Sequence, residues 1–140
     1  MAKQIINNPV IVLAGGTVSS SAQQCTISVN WDDQETTNFG SNGWHESING
    51  LGGGTFSVEW QQDYASGGID GVVWALATAS PGTAAVIVRP AGTAAIGTSN
   101  PQYSFTVRVN GWNPIDSAVG DLATVKTSWP ITGTVARATA

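Results

Sequence analysis

A chain of 140 residues, 41% of them hydrophobic and only 10% charged, with a formal charge of −4, can bury an ordinary single-domain core without a disulfide or metal staple. Its one cysteine, Cys25, excludes an internal disulfide framework, and no Asn-x-Ser/Thr acceptor occurs; both point to synthesis in a reducing cytoplasm. No stretch approaches the roughly 18 apolar residues of a membrane span, and Arg89, Arg108, Lys126 and Arg137 are too scattered to form a basic stripe for nucleic acid.

Charge is unevenly spread. Seven carboxylates stand against Lys3 in the first seventy residues, whereas four cations stand against Asp116 and Asp121 in the second. Solvated surface accounts for this, and so does an acidic face complementary to a basic one. The low charged fraction implies that much of the surface meets other protein.

At the amino end, Asn7, Asn8 and Pro9 interrupt a short apolar run and no convincing small-x-small cleavage site follows it directly, so residues 1–22 are not read as an export signal. Pro9 to Ala14 reads as a short strand or ordered arm ended by Gly15 and Gly16, followed by a polar connection from Ser19 to Gln24. Cys25, Ile27 and Val29 alternate with polar residues, predicting a half-buried strand that leads into Trp31. From Trp31 to Gly54 neither the helical nor the strand period holds. This stretch exceeds the roughly 12–15 residues beyond which structureless loops become uncommon, yet it carries Phe39, Trp44, Ile48 and Leu51. Its Asn42-Gly43 and Asn49-Gly50 pairs suit turns, so a shaped loop with a binding partner is expected.

Strand period returns at Thr55 to Gln61, with Phe56, Val58 and Trp60 on the inner face and Ser57, Glu59 and Gln61 on the outer. Ile69, Val72, Val73 and Leu76 then fall at i, i+3, i+4 and i+7. They predict one helix over about 68–79, with Ser66 as a cap, Asp70 in the first turn and Pro81-Gly82 as the stop. Gly71 weakens that helix by roughly 1 kcal/mol, so its stability must come from packing on a sheet. Ala84 to Arg89 reads as β, Pro90 to Pro101 as a loop, and Tyr103, Phe105, Val107 and Val109 as the inner face of a further strand. Leu122 to Arg137 reads as two short strands broken by Pro130 and Gly133. The sum is a mainly β, α+β fold: antiparallel sheets in a sandwich or barrel with one flanking helix.

Chemistry-bearing clusters are sparse. His45 is the single histidine, and Cys25 shares its strand face with Ile27 and Val29, as a core residue would. Asp32, Asp33 and Glu35 lack the spacing of a calcium loop and read as a solvated turn. Gly50 to Thr55, GLGGGT, has no following lysine and enters a strand, so it reads as a hinge or a tight backbone approach rather than a phosphate cradle. No catalytic, cofactor-binding or metal-ligating set is assigned.

The segments TTNFGSNGWHESINGL, FSVEWQQDY, GIDGVVWALA, SNPQYSFTVRVNGWNP and VKTSWPITGTVARAT, in that order, resemble the major tail tube proteins of long-tailed, non-contractile bacteriophages, particularly those of actinobacterial phages. The likeness covers most of the chain from Asp32 onward. It implies two packed antiparallel sheets with a flanking helix, assembled as hexameric rings that stack into a hollow tube. It further implies one domain over 1–140, with an amino-terminal arm at 1–16, an inter-ring loop at 31–54 and a carboxy-terminal arm at 133–140. No cofactor and no catalysis are implied. The implied partners are other copies of the chain, a tape-measure protein and tail-end proteins; DNA passes through without specific binding, and the location is the virion tail.

Within that frame Trp31, Phe39, Trp44 and Leu51 are candidate inter-subunit contacts. Hot spots favour aromatic anchors, and Phe39 and Trp44 lie outside every predicted element. Folding back of both as a lid over the chain's own sheet is the competing expectation. A conduit for DNA should avoid cations that grip phosphate, which makes Glu59 and Asp63 candidates to face the lumen. Two other functions stay open: a capsid decoration protein, which shares the cytoplasmic, interaction-rich character, and a secreted carbohydrate-binding module, which would also be a Trp-rich, weakly charged β-sandwich.

Overall fold

The computed structural model describes residues 3–80, 82–92 and 94–140. Met1 and Ala2 of the expected amino-terminal arm, and Pro81 of the expected helix stop, lie outside the described residues.

Among the described residues seven strands and one α-helix follow one another: β1 (Val10–Leu13), β2 (Gly16–Thr17), β3 (Ala22–Glu35), β4 (Ser47–Gln61), α1 (Ile69–Ala77), β5 (Thr83–Arg89), β6 (Gln102–Arg108) and β7 (Thr124–Ala138), with short 3-10 turns at Ser19–Ser21 and Phe39–Ser41. The strands pair as one antiparallel sheet in the order β2-β1-β5-β6-β7-β4-β3. The mainly β fold with one helix is therefore the one the periodicities predict. Its two layers are not separate sheets, because β7 belongs to both: Thr124–Pro130 pairs with β4, and Ile131–Ala138 pairs with β6.

This handover explains why Pro130 and Gly133 do not split β7 into two short strands as expected. Pro130 stands where the strand changes partners, a place where a missing N–H is tolerated. Gly133, at φ +82°, lies in a bulge between the Thr106–Thr132 and Ser104–Ala136 pairs. The bulge bends the strand and lets the sheet fold over on itself. Of the carboxy-terminal arm that the resemblance implies at 133–140, residues 134–138 are thus part of the strand held against β6.

The core sits between the folded halves. Phe56 of β4 meets Phe105 of β6 edge-on at 5.2 Å, and Trp129 of β7 lies 6.4 Å from Phe56 and 6.2 Å from Trp60. Both buried indoles have partners for their N–H groups, as burial demands. Trp60 Nε1 donates to Thr127 Oγ1 at 2.9 Å, and Trp129 Nε1 donates to the Gly111 carbonyl at 3.0 Å. β1 and β2 form an edge hairpin that places Ile11 and Leu13 in this core, so among the described residues of the expected amino-terminal arm those preceding the sheet are 3–9.

α1 buries Ile69 and Val73 and half-buries Val72 and Leu76, the stripe its period predicts. Its N-cap is Gly68, with no side-chain cap, rather than Ser66. Asp70 in the first turn instead ties the helix to the 110–114 loop, accepting from Trp112 Nε1 at 3.0 Å.

Candidate assembly surface

The stretch expected as a long shaped loop is an extension of two strands. Trp31 pairs with Gly52, Asp33 with Asn49, and Glu35 with Ser47, so β3 and β4 leave the body as a two-stranded arm with a short tip at 36–46. The period is illegible in sequence because glycine fills β4 where the inner face continues outward. Gly52 and Gly54 follow Phe56 on that face, and the vacated space is used. A Cβ on Gly52 would stand 2.8 Å from the Trp31 indole, and one on Gly54 would meet the Ser28 carbonyl oxygen and Ile131. Of the two readings of GLGGGT, tight approach is the one realised at these positions.

The tip is shaped by hydrogen bonds. Asn38 Oδ1 accepts from Gly40 N at 2.8 Å, Ser41 Oγ donates to Glu46 Oε2 at 2.9 Å, and Thr36 N donates to the Glu46 carbonyl at 2.9 Å. Asn42 and Gly43 both adopt positive φ, as the Asn-Gly pair suggests. His45 Nδ1 lies 2.9 Å from Glu35 Oε1, tying the tip to the end of β3. That contact first, and the Thr37 hydroxyl second, lower the Glu35 carboxyl below its ordinary value.

Between Ser28 and Gly53 only Ser41 is buried and only Gly50 half-buried. Phe39 is fully exposed, Trp44 is 77% exposed and Leu51 80%. Phe39 and Trp44 therefore do not fold back as a lid. The four contact candidates share the arm but not a face. Trp31 lies at its base on the inner side, Leu51 on the other side, and Phe39 and Trp44 at the tip.

Glu59 and Asp63 are separated. Glu59 lies on the outer face of β4 directly opposite Lys126 of β7, amid Gln24, Thr26, Ser57 and Ser128. That face is polar and close to neutral rather than acidic, which sequence alternation within single strands could not reveal because it depends on register between strands. Asp63 lies past the end of β4, where Oδ1 accepts from Ala65 N at 3.0 Å in a turn.

A feature the sequence reading missed is a groove left where the folded sheet stays open, between edge strand β3 and the opposite layer. It consists of two adjoining hollows of about 870 and 660 Å³ that share Ile27 and Tyr103. Val29, Trp31, Val135 and Arg137 line the larger; Cys25, Val88 and Arg89 line the smaller. The signal was present in the Cys25, Ile27, Val29, Trp31 alternation, which continues farther than the body can cover. Cys25 packs beside the core, and burial pushes its thiol up to about 11, leaving it protonated and unreactive near neutrality. Arg137 Nε donates to the Tyr103 hydroxyl at 3.3 Å, while Arg89 Nε is buried without a partner.

No helix among the described residues is long and apolar enough to cross a membrane. No protein-family model matches the chain, and no curated protein matches it.

Proposed function

We propose that this chain is a self-assembling structural protein, the tail tube subunit of a long-tailed, non-contractile phage, whose copies close into hexameric rings and stack into a conduit for DNA. The observation that carries the reading is the arm: a hydrogen-bonded ribbon with a shaped tip that leaves Phe39, Trp44 and Leu51 in water. A chain gains nothing for its own stability from such a projection. Its apolar side chains need a surface on another molecule. The ordered segments quoted for the resemblance supply the kind of assembly, and the near-neutral outer face around Glu59 and Lys126 is suited to a wall along which DNA slides without being gripped.

Magnitudes favour cooperative assembly over pairwise association. Burial of Phe39 or of Trp44 contributes roughly 1.5–3 kcal/mol each, against an association cost of about 4–15 kcal/mol. One docked arm makes a weak dimer; several arms engaged together hold a ring or a stack. Each subunit would act through contacts alone, without cofactor or catalysis, in a virion tail alongside a tape-measure protein and tail-end proteins. Negative-stain microscopy and light scattering across protein concentration test the reading. Rings or tubes with a sharp concentration threshold are expected, and a strictly monomeric protein under all conditions, a tail-initiation complex included, contradicts it.

A further inference from the structure

We propose that the groove between β3 and the β6–β7 layer of one copy receives the arm of a second copy, with Arg137 and Arg89 pairing to the arm's carboxylates. This rests on the self-assembly reading above and names the acceptor surface that reading leaves open.

Three observations point the same way. The groove is apolar along Ile27, Val29 and Val135, and its lining includes Arg89 and Arg137 but no aspartate or glutamate. The arm is the reverse: from Ser28 to Thr55 it carries Asp32, Asp33, Glu35 and Glu46, no lysine or arginine, and exposed Phe39, Trp44 and Leu51. Finally, among the described residues no Lys or Arg is ion-paired; the single pair is His45 with Glu35. The Nε of half-buried Arg89 makes no hydrogen bond, so it can donate to an acceptor that enters the hollow.

The chain's own arm does not fill this site, since no residue from 32 to 51 lines either hollow. A competing acceptor is the loop between β6 and β7, where Ile115, Val119 and Leu122 are exposed. Its charges are Asp116 and Asp121, the same sign as the arm's, and like charges brought together oppose docking. The basic groove is the complementary surface.

Arg137 is exposed, so Arg137→Glu can be made without disturbing the core. The test compares the assembly threshold of the wild type, Arg137→Glu, and Arg137→Glu combined in turn with Asp32→Arg, Asp33→Arg or Glu35→Arg. The monomer's melting temperature serves as the folding control. A photo-cross-linker at position 44 reports where the arm lands. Expected are a threshold raised roughly tenfold or more by the reversal, recovery with at least one arm reversal, and cross-links to β3, β6 or β7 of another copy. A wild type that assembles with its threshold unmoved by Arg137→Glu, no recovery in any combination, or cross-links to residues 111–123 overturns the groove as acceptor while leaving self-assembly standing. A wild type that never assembles overturns both.

Discussion

Gly54 has no room for a side chain. An added methyl would collide with the Ser28 carbonyl across the β3–β4 ladder and press on Ile131, whereas one residue away a Cβ on Gly53 would meet only Asn30 Oδ1, at 3.9 Å. Gly54→Ala is therefore expected to lower stability by about 1–3 kcal/mol through overpacking. Gly53→Ala should stay within about 0.5 kcal/mol of the wild type; chemical denaturation of the pair checks the contrast. A triple glycine announces either mobility or close approach, and only the cross-strand neighbours decide which. Those neighbours lie more than twenty residues away in sequence, which is why the choice was not legible there. At the β1–β2 turn both Ala14 (φ 53°) and Gly15 (φ 85°) occupy the left-handed region. That is the geometry in which Asn-Gly is preferred and alanine is strained. Ala14→Asn should raise stability by roughly 0.5–1 kcal/mol, measurable as a shift in melting temperature.

The arm behaves as an element with its own rules. Because the Trp44 ring lies mostly in water, Trp44→Ala is expected to leave the monomer's stability unchanged within about 0.5 kcal/mol. The same substitution should cost assembly about 2 kcal/mol or more, as loss of an interface anchor does. Parallel thermal melts and scattering measure both, and a large fall in monomer stability would contradict the exposed position. The tip should also respond to acid. Glu35 has a folded value below its ordinary 4.5, so its contribution to tip order is present above that value and is lost as pH falls through the lowered one. Amide exchange at residues 36, 41 and 46, compared between pH near 6 and pH near 3, should show the tip loosening at the lower value while the β4–β7 ladder stays protected. Sequence gave the helix readily, because Ile69, Val72, Val73 and Leu76 repeat at helical spacing whatever they pack on. It hid the arm, because a ribbon built from glycine opposite tryptophan has no alternation to read. It also divided β7 at Pro130 and Gly133, since the residues that break an isolated strand are the ones that let this strand turn from one partner to another.

At the scale of the whole molecule, the sheet folds over on itself but does not close. β3 and the β2–β1 hairpin are left as its two edges, with the groove on the open side. The mainly β class and the flanking helix were legible because each periodicity is local. The groove and the neutral outer face were not, because both arise from which strands lie side by side. The participation of β7 in both layers bears on how the molecule comes to be made. β7 follows every other strand in chain order, yet the β4 and β6 ladders are joined only through it, although Phe56 and Phe105 touch across the core. While synthesis has reached no farther than Asp121, β3–β4 is a lone hairpin and β1, β5 and β6 have no second layer joined to them over Phe105 and Val107. Neither half is yet joined to the other by a ladder, and the core still lacks Trp129 and Ile131. Folding should therefore wait for translation to pass Ala138 instead of proceeding layer by layer. Nascent chains arrested on the ribosome with Asp121 outside the exit tunnel should stay protease-sensitive, and those arrested with Ala138 outside should become resistant in a single step.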